Sequence, residues 1–189
     1  MSITVSTGRE KAQVMNVEEM RRALLRIAHE ILEQNHKYIE DLVLVGVKSR
    51  GDILAHRIAE NLERIERIEL DVGAIDVTLY RDDINLYETQ IQVNSTELPF
   101  DITGKRVILV DEVLYTGRTA RAAMDALMDF GRPAAIQLAV LIDRGHRELP
   151  IAADYVGKNV PTSRKEFVRV QLAEEHGEDS AIIYEREGE

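Results

Sequence analysis

The sequence predicts an α/β fold: a doubly wound, mostly parallel sheet with a small hood or flap region. Short apolar runs at residues 42–47, 107–110 and 135–142 alternate with segments of helical periodicity. Each run is continuously apolar rather than alternating, as in strands buried on both faces of a parallel sheet. Charged and small residues follow each run directly, at the strand ends where open α/β sheets bind their ligands.

Residues 1–14 carry no strong pattern and read as an N-terminal arm or an edge strand. Asn16 is placed to cap a helix, with Glu19 completing a capping box and Met15 and Met20 spaced as a hydrophobic staple. Met20, Leu24, Ile27 and Ile31 recur at helical spacing, so this helix buries one face through about His36. The run at 42–47 is a buried strand, Lys48-Ser49-Arg50-Gly51 is the turn after it, and a second helix spans 52–62. Residues 70–80 have strand character. Residues 81–99 are polar and weakly patterned, long enough for a flexible flap. After the central strand at 107–110, a helix covers 119–130 and is closed by Gly131. The strand at 135–142 ends in Asp143-Arg144-Gly145-His146-Arg147, and 155–160, 167–172 and 181–184 are short strand candidates. With 189 residues, the chain reads as a single domain over 1–189.

Composition narrows the function classes. The chain is 44% hydrophobic and 31% charged, as in soluble globular proteins. It has no cysteine, which removes disulfides and thiolate metal sites. No apolar run approaches the ~20 residues of a membrane helix and no early apolar leader is present, so a cytoplasmic protein without membrane partners is expected. The net charge of -10 argues against general nucleic-acid affinity, so an RNA-binding face has to be a concentrated basic patch.

The chemistry concentrates in VILVDEVLYTGRT at 107–119. Asp111 and Glu112 end the apolar run, and Thr116, Gly117, Arg118 and Thr119 offer backbone N–H groups and hydroxyls before a helix N-terminus, a place for phosphate. Two carboxylates ahead of a phosphate loop repel a bare polyphosphate. They suit a ribose diol, whose hydroxyls they accept, and a Mg²⁺ ion. The loop lacks both the GxxxxGK[ST] and the GxGxxG spacings. A 5-phosphorylated ribose is the ligand class that fits.

This run resembles the phosphoribosyl-pyrophosphate motif of the type I phosphoribosyltransferases. MRRALLRIAHE at 20–30, LVGVKSRG at 44–51, DVTLYRDD at 76–83, MDAL at 124–127 and GRPAAIQLAVLIDRGHRELPIAADYVGKNVPTS at 131–163 resemble one branch of that family. That branch is the bifunctional pyrimidine-operon attenuation regulators that are also uracil phosphoribosyltransferases. The likeness covers nearly the whole chain.

The resemblance implies a division of labour. Val113, Leu114, Tyr115, Thr116, Gly117, Arg118 and Thr119 would wrap the 5-phosphate. Asp111 and Glu112 would hold the ribose hydroxyls, with Mg²⁺ bound mainly through substrate and partly through this pair; Glu112 stands where the family often has aspartate. Lys48, Ser49, Arg50 and Gly51 match the pyrophosphate loop. Arg81 and Asp82, followed by Asp83, match the start of the catalytic flap. Asp143, Arg144, Tyr155, Val156 and Lys158 would lie at the base. On the first helix Arg22, Arg26 and His29 face away from the apolar stripe. With Ser49, His146, Arg147 and Lys158 they match positions of an RNA-binding face.

The implied reaction converts uracil and phosphoribosyl pyrophosphate to UMP and pyrophosphate, with no organic cofactor. UMP would also govern binding of pyrimidine-operon leader mRNA, by a homodimer or homotetramer. Two other readings stand beside this one. One is an RNA-binding regulator with little or no catalytic activity. The other is a purine salvage phosphoribosyltransferase, because the DYVG segment resembles the base strand of hypoxanthine enzymes too.

Overall fold

Residues 8–82 and 95–186 are described by the computed structural model. In chain order they form β1 (Gly8–Met15), α1 (Val17–Asn35), β2 (Leu42–Val47), α2 (Gly51–Glu66), β3 (Asp71–Ile75), β4 (Arg106–Leu114), α3 (Arg118–Phe130), β5 (Ala135–Asp143), β6 (Tyr155–Asn159), β7 (Glu166–Gln171), α4 (Ala173–His176) and β8 (Ser180–Arg186). Of the expected flap at 81–99, residues 83–94, Asp83 among them, lie outside the described residues, as do residues 1–7 of the expected arm.

The central sheet has the order β3-β2-β4-β5-β6 and every pairing in it is parallel. The side chains of its strands alternate between two apolar layers. Leu42, Leu44, Ile108, Val110, Ala139 and Leu141 pack under α1 and α2. Val43, Val45, Val47, Val107, Leu109 and Val140 pack against Ala120, Ala123, Ala126 and Leu127 of α3. Burial on both faces is why these strands read as unbroken apolar runs.

A second sheet, β1-β8-β7, is antiparallel and forms the hood. Val170, Leu172, Ala181 and Ile183 belong to the same core as α1 and α2, so the hood is docked by apolar burial as well as by polar ties. Residues 8–15 are therefore an edge strand of the hood, one of the two alternatives open for them.

Local chemistry sets the element ends. The Asn16 side chain accepts the Glu19 N–H and the Glu19 side chain accepts the Asn16 N–H, each at 2.9 Å, which closes the capping box. Met15 and Met20 on either side of this cap are 1% and 0% exposed, as a staple requires. Helix α2 runs a turn past the expected end, stopping at Arg67 in the left-handed region (φ 57), whose N–H reaches the Glu63 carbonyl at 2.7 Å. Strand β3 is shorter than the strand character of 70–80 suggested. The Asp76 carboxylate accepts the Thr78 N–H at 2.8 Å and the Thr78 hydroxyl at 2.5 Å, an Asx-type turn that diverts the chain into a 3₁₀ turn over Thr78–Tyr80. Strand β4 is longer than expected: its ladder with β5 continues past the acidic pair, through Asp111↔Val140 and Val113↔Ile142 to Leu114↔Asp143.

Asn16→Ala removes both side-chain bonds of the cap and is expected to destabilise the native state by about 1 kcal/mol. A urea midpoint unchanged at constant slope would show that the cap contributes nothing.

Candidate functional site

The site is built on β4. Asp111 is buried at 7% exposure inside the parallel sheet, and its carboxylate accepts the Glu112 backbone N–H at 2.9 Å. Burial pushes the Asp111 carboxyl well above the ordinary carboxylate range, the neighbouring Glu112 charge adds to this, and the Arg81 guanidinium partly offsets both. Glu112 is half-buried, its carboxylate 4.0 Å from the Arg50 guanidinium. Among the described residues no group of three or more His, Asp or Glu side chains is placed to hold a metal ion. The acidic pair alone suits a cation held mainly by ligand oxygens and water, the usual manner of Mg²⁺.

Beyond β4 the chain enters the cradle of backbone amides that the sequence marks as the expected phosphate loop. Gly117, at φ 93, is the N-cap of α3 and turns the amides after it toward one cavity of about 110 Å³. That cavity is lined by Arg81, Asp111, Thr116, Gly117 and Thr119 among others. The cradle is braced from outside: the Thr116 carbonyl accepts the Glu148 and Leu149 N–H groups at 2.9 and 3.1 Å. Arg118 points away from the cavity and pairs with Asp82 and Glu148, each at 2.8 Å. It ties the first residues of the flap to the cradle rim.

The Lys48–Gly51 turn lies on the other side of the acidic pair. A Cβ on Gly51 would fall 2.4 Å from the Val110 carbonyl oxygen and 3.2 Å from Asp111 Cα, so only glycine lets the start of α2 rest on β4 there. The Lys48–Ser49 peptide is cis, and the Lys48 N–H donates to the Ile75 carbonyl at 3.0 Å. The Lys48 ammonium donates to Glu97 at 2.5 Å and Arg50 Nε lies 3.3 Å from Glu175.

A larger cavity of about 500 Å³ opens at the ends of β5 and β6, lined by residues 143–147 and 159–162. Its wall is joined to the cradle through Tyr115, whose ring carries the Arg144 guanidinium at 3.9 Å and the edge-on His146 ring at 6.1 Å.

Several expected site residues are engaged elsewhere. Tyr155 does not line a base site: level with Val110 across the ladder, it is fully buried in the core layer beneath α1, and its hydroxyl bonds Asn35, Gln34 and Gln137 at 3.0–3.2 Å. Arg144 is 4% exposed and donates to the Thr162 hydroxyl and to the Ser163 and Glu166 carbonyls, so it fastens the hood to β5. Burial lowers its pKa from the usual arginine value. The Asp143 carboxylate accepts the Gly145 N–H and pairs with Arg147. Arg147 also donates to the Tyr115 and Ile151 carbonyls, which makes it a clamp on the cradle rather than an exposed cation.

The Val156 carbonyl is taken by Arg26, which also reaches the Gly157 carbonyl. Lys158 donates to the Val14 carbonyl at 2.6 Å. These two contacts bring Arg22, Arg26, His29 and Lys158 onto one side of the molecule, with Arg22 and His29 exposed. Ser49 does not join them: β2 and β6 are three strand spacings apart, about 14 Å. Asn159, Val160, Pro161 and Thr162 line the larger cavity and were not singled out from the sequence, although they follow directly on Lys158 in a strand-end segment rich in turn residues.

The chain matches the phosphoribosyl transferase domain family over residues 13–175. It is 61% identical to the Bifunctional protein PyrR of Thermus thermophilus, across 95% of this chain and 99% of that one. Identity is 60% to the Bifunctional protein PyrR of Caldicellulosiruptor bescii (92% and 94% covered) and 57% to that of Clostridioides difficile (93% and 99%). The hypoxanthine phosphoribosyltransferase of Trypanosoma cruzi superposes with a TM-score of 0.70 at 20% identity, across 94% of this chain and 98% of that one, a likeness of fold alone.

The buried carboxyl of Asp111 has a measurable signature. A raised native pKa means that its contribution to stability is intact at and below its ordinary value of 3.8 and is lost as pH rises through the raised value. Asp111→Asn is therefore expected to be more stable than the parent at about pH 8, the difference shrinking toward pH 4. Urea midpoints across that range check this; a variant that is less stable at the alkaline end contradicts it.

Proposed function

The chain belongs to the phosphoribosyl transferase domain family, in its PyrR branch, and from that premise we propose that it transfers the phosphoribosyl group of phosphoribosyl pyrophosphate to uracil, releasing UMP and pyrophosphate. We propose as its second role the UMP-dependent binding of pyrimidine-operon leader mRNA. The observation that carries the enzymatic reading is the order of parts along β4. Gly51 of the turn rests on Val110, the acidic pair comes next, and the phosphate cradle begins four residues later. At about 3.3 Å per strand residue, that order spaces pyrophosphate, ribose and 5-phosphate along one ligand.

The chemistry follows from the charges. The bond from the sugar C1 to the pyrophosphate oxygen breaks, the bond from C1 to a uracil ring nitrogen forms as that nitrogen gives up its proton to water, and the sugar passes through an oxocarbenium-like state. Asp111 and Glu112 hold the ribose hydroxyls and favour positive charge on the ring. Lys48 and Arg50 receive the negative charge that moves onto pyrophosphate. Thr116, Gly117 and Thr119 hold the 5-phosphate against the start of α3. Asp111 and Glu112, together with substrate oxygens, would hold a Mg²⁺ ion, which would supply further neutralisation of the leaving group. With the Asp143 carboxylate engaged, uracil is read by backbone groups of residues 143–147 and 159–162 around the larger cavity.

For the RNA role, support comes from the exposed Arg22 and His29 on α1 and from Tyr115, which joins the cradle to His146 at the rim. A 5-phosphate in the cradle is thereby linked to the surface it regulates. The exposed apolar Leu79, Met128 and Phe130, at 71%, 56% and 48%, support a homodimer or homotetramer. No helix among the described residues is long and apolar enough to cross a membrane.

Incubation with phosphoribosyl pyrophosphate, Mg²⁺ and uracil, hypoxanthine or guanine in turn is expected to give UMP and neither purine nucleotide. Glu112→Gln is expected to lower kcat by about a hundredfold, the scale of losing one preorganised charge. Absence of turnover with every base would refute the enzyme. Gel shifts of leader RNA with and without UMP test the second role: Arg22→Ala and His29→Ala are expected to lose binding and keep activity. Unchanged RNA affinity in both would displace the RNA face from α1.

A further inference from the structure

Taking residues 48–51 as the pyrophosphate turn, both of its cations already face a carboxylate. Lys48 donates to Glu97 at 2.5 Å and Arg50 Nε lies 3.3 Å from Glu175. The two acids come from opposite sides of the site. Glu97 lies near the end of the 81–99 segment and exchanges backbone bonds with Ala74 at the edge of β3, at 2.8 and 2.7 Å. Glu175 lies on α4 in the hood, which is held independently: Arg57 of α2 grips Glu174 at 2.6 Å and Asp179 at 2.8 Å. Within their own segments the two carboxylates make only long contacts, Glu97 with the Ser95 hydroxyl at 3.4 Å and Glu175 with His176 Nδ1 at 3.6 Å.

The two contacts differ in quality. Among the described residues the buried Arg50 Nε makes no hydrogen bond, although a Glu175 oxygen lies 3.3 Å from it and a Glu112 oxygen 4.0 Å from Nη1 of the same guanidinium. Glu97 is 66% exposed while the Lys48 side chain is only 14% exposed, so the acid can leave into solvent and the cation cannot. A tetrahedral anion with several oxygens, resting on the turn, meets both cations better than two carboxylates reaching in from the rims.

We propose that Glu97 and Glu175 are positioning residues that stand in for the pyrophosphate oxygens. They hold Lys48 and Arg50 at the empty turn, give way when the pyrophosphate group arrives, and return to displace it after transfer. This rests on the reading of residues 48–51 given above. The consequence is selective: ligands carrying pyrophosphate bind against the competition, and UMP, which has no group at that turn, does not.

The test is calorimetric titration of the full-length protein with magnesium pyrophosphate and, separately, with UMP. Glu97→Gln and Glu175→Gln are each expected to bind pyrophosphate about two- to fivefold tighter, the range of a partly exposed ion pair, with the factors multiplying in the double variant. UMP affinity is expected to stay constant. A role confined to structure would weaken pyrophosphate binding or leave it unchanged, and either result overturns the proposal, as does equal tightening toward UMP. Lys48→Ala and Arg50→Ala separate the premise from the inference. If both bind pyrophosphate as the parent does, the turn itself is misassigned. If both bind it more weakly while the glutamine variants bind no tighter, the stand-in role alone fails.

Discussion

A carboxylate buried inside a parallel sheet is the constraint on which the rest of this molecule depends. Asp111 occupies a position that elsewhere in β4 is filled by valine, isoleucine or leucine, and its ladder partner is Val140. Such a group is costly to bury, and the proposed reading gives it a use, since a cation or a diol would meet it there. The surroundings fit that reading. Gly51 lets the cationic turn lie against the same strand, Gly117 folds the cradle back toward it, and Arg81 approaches from the start of the flap.

The sheet and its ligand end were legible because they follow from local patterns. Continuous apolar runs mark strands covered on both sides, and the Asn16–Glu19 pair and Gly131 mark helix ends. The turn at Thr116–Thr119 was legible for the same reason: a glycine just before a helix, here in the left-handed region, is a local device. What stayed hidden depended on distant partners. Strand β4 reaches Leu114 only because β5 pairs with it past the acidic residues, which is invisible in a segment that turns polar at Asp111. Nothing in the sequence shows that Arg144 and Arg147 spend their donors on carbonyls from residues 115, 151, 163 and 166. Cations near a base site read as ligand contacts until their partners are seen.

The hood is held by apolar burial of Val170, Leu172, Ala181 and Ile183, and polar ties specify where it sits. Arg57 of α2 and Arg144 at the end of β5 tie the hood to the rest of the molecule, while the Lys11–Glu166 pair spans the small sheet itself, from β1 to β7. Partly buried pairs of this kind add specificity more than stability, because desolvation offsets much of the attraction. That suits a cover which has to sit accurately over a site and still release what it covers.

Arg26 has a further consequence, for how the molecule behaves among its neighbours. Strand β6 is an outer strand of the central sheet, and an outer strand offers unpaired backbone groups to any other extended chain. Arg26 answers the Val156 and Gly157 carbonyls from α1, while the Glu97 backbone pairs with Ala74 on β3 at the opposite margin. Each margin of the sheet thus has part of its backbone already engaged, one by a side chain and one by the chain's own return. An arginine on the exposed face of a helix thereby makes the edge a poorer template for another strand, whatever use is made of the outer surface of α1.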